Sequence, residues 1–156
     1  MTDKAPTITV ETAVAAPADT VYGLITDLDT MAQFGEEVTA MKWAKGNAGT
    51  VGSVFRGSNR NGWHRWTTTC TVSEAEAGRA FAWNVSRLGQ PIARWRYEVT
   101  PTADGCTVVE SMWDRRSSLL KSTAHLLTGI RDRVGANEEH MRVTLERLKA
   151  RAEQSS

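Results

Sequence analysis

Cysteine is scarce in this chain. Two residues, Cys70 and Cys106, occur in a length of 156. Neither stands in a CxxC pair or beside histidines at ligand spacing, which excludes a disulfide framework and leaves no zinc motif. The expectation is two small buried thiols in a reducing compartment. Histidine is scarce too, with three scattered residues and no HExxH, so neither a metal nor any other cofactor is expected. A surplus of one charge is also missing: 19 basic side chains stand against 18 acidic ones, for a net charge of +1. Bulk electrostatics therefore give no reason to expect a nucleic-acid partner or an anionic membrane surface. No apolar run approaches the ~18 residues that a membrane span needs. The opening MTDKAPTITVETAV lacks the charged-then-apolar plan of a signal peptide. Together these absences predict a cytoplasmic protein with no stable membrane insertion. The length suits one domain, residues 1–156, with its core from about 7 to 153. Formation of a homodimer stays open.

Proline is rare as well, four in all, and none falls between Ser117 and Glu153. That stretch carries Leu120, Ala124, Leu127, Ile130, Val134, Met141, Leu145 and Leu148 at steps of three, four or seven. The spacing predicts a long α-helix with one apolar stripe. Ser117 or Ser118 can cap its start by accepting from a first-turn N–H. Gly129 and Gly135 each cost such a helix about 1 kcal/mol against alanine and mark places where it bends or is closely approached. A helix of this length cannot bury its stripe against itself, so the rest of the chain has to supply a surface.

That surface reads as antiparallel β-sheet. Thr7–Val14 alternates, with Ile8, Val10, Thr12 and Val14 on one face. Pro17 then suits the first turn of a helix over residues 17–26, and a second short helix is expected over 30–34. Six strands follow in hairpin succession: 38–43, 53–58, 63–74, 81–87, 92–100 and 106–113. Gly46, Gly49 and Gly52 mimic a phosphate loop, but no GK[ST] and no helix follow, so they read as a hairpin loop. The fold class is α+β: a curved seven-stranded antiparallel sheet with two short helices after strand one, wrapped around a long C-terminal helix.

Several stretches carry a resemblance. They are Ala16-Pro17-Ala18-Asp19-Thr20-Val21-Tyr22 running into Thr26-Asp27-Leu28-Asp29, the run Val51 to Arg60, and Trp66 to Val72. Trp95-Arg96-Tyr97, Gly105 to Ser111 and Thr144 to Leu148 complete the set. In this order they resemble the START/Bet v 1-like (SRPBCC) helix-grip superfamily, and within it the bacterial polyketide cyclase/dehydrase and lipid-transport group. The resemblance covers nearly the whole chain. It implies a cavity between the concave face of the sheet and the long helix. It does not choose among ligand carriers, cyclases, hydrolases and receptors, all of which share the scaffold.

The six tryptophans give the best functional clue. By strand alternation Phe55, Trp66, Trp83, Trp95, Tyr97 and Trp113 fall on inner faces, joined by Thr68, Cys70 and Ser111. Leu127 and Ile130 project from the helix stripe. These are the expected ligand-binding residues. Large rings stack on flat, ring-bearing molecules, or else simply fill a core.

Candidates for chemistry are few. His64 continues the inner face of its strand, and its unperturbed pKa of ~6.5 suits proton transfer. Asn59 shares the side of Phe55 and can donate to a carbonyl, whereas Arg56 points away. Cys70 lacks a neighbouring base that would activate a nucleophile. Asp27 and Asp29 read as capping residues. His125 and His140 read as helix-surface residues, and Arg115, Arg116, Arg131 and Arg133 as solvated charges. The expected function is binding of a hydrophobic small molecule, lipid or polyketide-like and aromatic, without catalysis. The alternative is a polyketide cyclase, aromatase or dehydratase that uses His64 as acid/base and Asn59 as carbonyl donor. A partner-binding co-regulator is a third class that no motif marks.

Overall fold

The alternation of the first strand is realised directly. In the computed structural model, which describes residues 4–121 and 133–154, β1 spans Ile8–Val14 and buries Ile8, Val10 and Val14. Two short helices follow, α1 (Ala18–Ile25) and α2 (Leu28–Phe34). Pro17 occupies the N-cap of α1 with φ −60°, the value to which its ring is locked. Asp27 precedes α2, and its carboxylate accepts from Thr30 Oγ1 at 3.0 Å. Asp27 holds the N-cap position, but its side chain accepts from the Thr30 hydroxyl and caps no backbone N–H, so the expected capping bond is not formed.

Six strands come next: β2 (Val38–Lys45), β3 (Val54–Asn61), β4 (His64–Glu76), β5 (Ala80–Arg87), β6 (Gln90–Thr102) and β7 (Gly105–Asp114). All pair antiparallel in the order β1-β7-β6-β5-β4-β3-β2. The fold is thus the expected α+β arrangement. Strands run a few residues longer than alternation alone predicts, because ladder pairing carries them into the turns. The glycine-rich segment before β3 is a hairpin loop. Gly46 and Gly52 adopt φ +78° and +92° there, a region that side chains with a Cβ avoid.

Residues 118–121 are helical, and Leu120 N–H donates to Ser117 Oγ at 3.2 Å, the expected serine cap. The helix α3 spans Arg133–Gln154. Met141, Leu145, Leu148 and Ala152 are each at most 2 % exposed, and their steps of four, three and four make one stripe. Burying each of the three large side chains is worth about 1.5–3 kcal/mol. The stripe packs on β1, α1 and α2. Leu127 and Ile130, with His125 and Gly129, lie outside the described residues.

The outer face of the sheet is tied by charge. Ala82 sits between Glu74 and Arg96 in the ladder, and its small side chain lets the two reach each other. Arg96 Nε lies 2.8 Å from Glu74 Oε1, and Arg96 Nη2 lies 2.9 Å from Glu98 Oε2. Among the described residues, no helix is long and apolar enough to cross a membrane.

Candidate functional site

The concave face of the sheet lines a half-open cavity of about 510 Å³. Alternation delivers its wall. Phe55, Gly57 and Asn59 come from β3, and Trp66, Thr68 and Cys70 from β4. Trp83 and Val85 come from β5, and Ala93, Trp95 and Tyr97 from β6. Met31 of α2 closes one side, and Asn137, His140 and Thr144 of α3 close another.

The rings form a connected wall. Trp83 stacks on Tyr97 with centroids 5.8 Å apart. Phe55 meets Trp83 edge-on at 5.6 Å and Trp43 at 5.3 Å. Phe55, Trp83 and Tyr97 are buried, whereas Trp66 and Trp95 are half-buried. Burial therefore splits the aromatic set into core rings and rings that keep surface toward the cavity.

One polar group lies deep among these rings. Glu110 of β7 lines the cavity and is 2 % exposed. Burial pushes its carboxyl up to about 8, and a hydrogen bond with the Tyr97 hydroxyl only partly offsets that. Burial, together with the neighbouring Glu110, also raises the Tyr97 hydroxyl well above its ordinary value. Burial thus favours the neutral form of Glu110, as expected of a carboxyl in apolar surroundings. Among the described residues its buried Oε1 has no hydrogen-bond partner.

The mouth is more polar. Arg116 grips Asp114 with two bonds, Nε to Oδ1 at 3.0 Å and Nη2 to Oδ2 at 2.8 Å. Burial alone would raise the Asp114 carboxyl, but the Arg116 side chain and amide hold it below its ordinary value. His140 Nδ1 lies 3.3 Å from Glu37 Oε1. The buried Nε of Arg87, which also lines the cavity, has no hydrogen-bond partner among the described residues.

The structure gathers Phe55, Trp66, Thr68, Cys70, Trp83, Trp95 and Tyr97 around this cavity, together with Asn59. The Asn59 amide spans 3.5 Å to the carbonyls of Gly57 and Trp66. Cys70 is a protonated thiol, pushed up to about 12 by burial, with a Thr68 hydrogen bond pulling the other way. That removes it as a nucleophile.

Two expected wall residues lie elsewhere. Ser111 and Trp113 occupy the outer face of β7, because Glu110, Met112 and Asp114 take the cavity side. Trp113 packs under the Arg94 guanidinium, 4.9 Å from the ring centre, and its indole N–H donates to the Lys4 carbonyl at 2.6 Å. An outer face that offers these partners accommodates a tryptophan as well as an inner one. His64 is absent from the wall. It sits at the hairpin tip, stacked on exposed Trp63 at 3.8 Å, because β4 extends beyond the cavity. His140 and Arg116 line the mouth and are not simple surface charges. Sequence reasoning missed Glu110. Its one signal was a lone acid in phase with Cys106, Val108 and Met112. Among the described residues, no group of three His, Cys, Asp or Glu side chains could hold a metal ion.

Comparison with known proteins agrees with this architecture. The family model described as polyketide cyclase / dehydrase and lipid transport matches residues 5–153. Among solved structures, the di-domain ARO/CYC StfQ of the steffimycin biosynthetic pathway superposes with a TM-score of 0.74 at 13 % identity, covering 95 % of this chain and 51 % of that one. The di-domain ARO/CYC BexL of the BE-7585A biosynthetic pathway gives 0.71 at 18 %, covering 94 % and 49 %. The chain therefore spans about half the length of either di-domain protein. The Polyketide_cyc-like protein Cgl2372 from Corynebacterium glutamicum gives 0.61 at 23 %, covering 91 % and 88 %. Likeness at these identities establishes the shared fold. No curated protein matches the chain by sequence.

Proposed function

The chain belongs to the polyketide cyclase/dehydrase and lipid-transport family, and on that footing we propose that it binds a hydrophobic, ring-bearing small molecule in the cavity under α3. One observation carries this reading: a cavity of about 510 Å³ walled by Trp66 and Trp95 in front of a packed layer of Phe55, Trp83 and Tyr97. Small-molecule sites occupy about 300–1,000 Å³ and are mostly apolar with a few placed polar groups. A protein core instead closes to the density of an organic crystal and leaves few voids larger than water. Half-buried rings facing such a space keep stacking surface for a flat guest.

Binding without turnover is the better-supported role. The cyclase alternative paired His64 as acid/base with Asn59 as carbonyl donor; Asn59 lines the cavity, but His64 stacks on Trp63 and is absent from the wall. Native mass spectrometry of the purified protein, followed by solvent extraction, tests the proposal. The expected result is a defined hydrophobic molecule carried at one per chain, or a one-to-one adduct when 2-ethylnaphthalene is added. A bare chain mass that takes up no added 2-ethylnaphthalene would sink the reading.

A further inference from the structure

A deep polar group of the cavity has a feature that filling a core does not explain. Glu110 is 2 % exposed, lines the cavity, and among the described residues leaves Oε1 without a hydrogen-bond partner. Buried polar atoms nearly always have partners, so an orphan oxygen beside a ligand cavity points to a group the ligand supplies. Tyr97 stands directly opposite in the β6–β7 ladder, and its hydroxyl lowers the Glu110 carboxyl against the rise that burial causes. The neutral carboxyl carries one O–H, which can donate.

We propose that Glu110 and Tyr97 form the polar anchor of the cavity, and that the carboxyl O–H of Glu110 donates to a carbonyl oxygen of the bound molecule. This rests on the small-molecule reading and narrows it to ligands with a ring-borne ketone or similar acceptor. A neutral acid held among rings is a strong, pre-oriented donor, because the surrounding apolar groups neither compete for its proton nor screen it. An ammonium ligand would need the ionised acid, which burial disfavours below a pH of about 8. The other titratable and charged side chains lining the cavity are Glu36, Glu37, Cys70, Arg87, Asp114, Arg116 and His140. The variants below separate Glu110 from all of them.

The test is equilibrium dialysis of the full chain with three matched probes: 2-acetylnaphthalene, 2-ethylnaphthalene and 1-(2-naphthyl)ethylamine. The ketone and the hydrocarbon differ by one carbonyl oxygen. At pH 6.5 the ketone is expected to bind about five- to tenfold more tightly than the hydrocarbon, the worth of one neutral hydrogen bond. The preference is expected to fade above pH 9, to vanish at every pH in Glu110→Met, and to persist without pH dependence in Glu110→Gln, whose amide still donates. Circular dichroism and urea unfolding check that both variants fold, and Tyr97→Phe supplies a milder lesion that should shrink the preference. Equal binding of ketone and hydrocarbon by the wild type overturns the anchor and leaves the cavity reading intact. A ketone preference that survives in Glu110→Met overturns it as well, and so does tighter binding of the amine than of the ketone. Failure of the hydrocarbon itself to saturate strikes the small-molecule reading, and the anchor falls with it.

Discussion

Tyr97 on β6 and Glu110 on β7 face each other across the ladder, and both are buried against the same cavity. This pairing sets a stability profile. The Glu110 carboxyl rises from 4.5 to about 8 on folding. Between those values the unfolded chain has released the proton and the folded chain still holds it. Stability is therefore full below pH ~4.5 and falls by about 1.4 kcal/mol per pH unit toward pH 8 on account of this group. Urea titrations at pH 5, 6.5 and 8 should show Glu110→Gln losing that slope. A variant that falls with pH as steeply as wild type would mean that Glu110 is not the buried acid responsible.

The rings should separate by mutation as they do by burial. Phe55 is fully buried between Trp43 and Trp83, so Phe55→Ala should cost about 3–5 kcal/mol in chemical unfolding. Trp95 is half-buried on the cavity side. Trp95→Ala should cost about 2 kcal/mol or less and weaken 2-ethylnaphthalene binding about tenfold. Equal stability losses with unchanged binding would make Trp95 a core residue.

Thiol reactivity reads the same wall. Both cysteines are buried, burial pushes Cys70 up to about 12, and it raises Cys106 as well. Ellman's reagent at pH 8 should find almost no reactive thiol in the native protein and both after guanidinium unfolding. Rapid native labelling of Cys70 would contradict a protonated, enclosed side chain.

The helix α3 is fastened to α2 by two side-chain hydrogen bonds, one of them from Arg151 Nη2 to Gln33 Oε1 at 2.9 Å. In the other, Arg147 Nη1 donates to the Phe34 carbonyl at 2.9 Å, at the end of α2, where carbonyls lack helical partners. Arg147→Ala should lower stability by about 1 kcal/mol, measured by urea unfolding. Arg147→Lys should recover part of that, because it keeps a cation at a helix C-terminus.

Much of the fold was legible because period-two alternation is a local signal. It placed Trp95 and Tyr97 inward on β6, Trp66, Thr68 and Cys70 on β4, and Phe55 and Asn59 on β3. The phase of β7 was not legible. Its inner face carries Glu110 and its outer face Trp113, the reverse of the usual polarity. The reasons lie across strands, in Tyr97 opposite the acid and Arg94 over the indole. His64 has the right phase but is absent from the cavity wall, and where a cavity ends is a three-dimensional matter that alternation along one strand does not carry. The Asp114–Arg116 clasp is likewise a matter of three-dimensional burial, since two adjacent arginines look alike in sequence. Only Arg116 finds an enclosed partner there, while exposed Arg115 reaches Asn84.

The most direct measurement is equilibrium dialysis of 2-ethylnaphthalene against wild type and Thr68→Phe, a change that fills the cavity from β4. Saturable one-to-one binding is expected for wild type, with a Kd on the order of 10–100 µM for a probe of this size, and loss of binding is expected for a folded Thr68→Phe. Wild type that never saturates, or a folded Thr68→Phe that binds as well as wild type, would contradict a ligand cavity beneath α3.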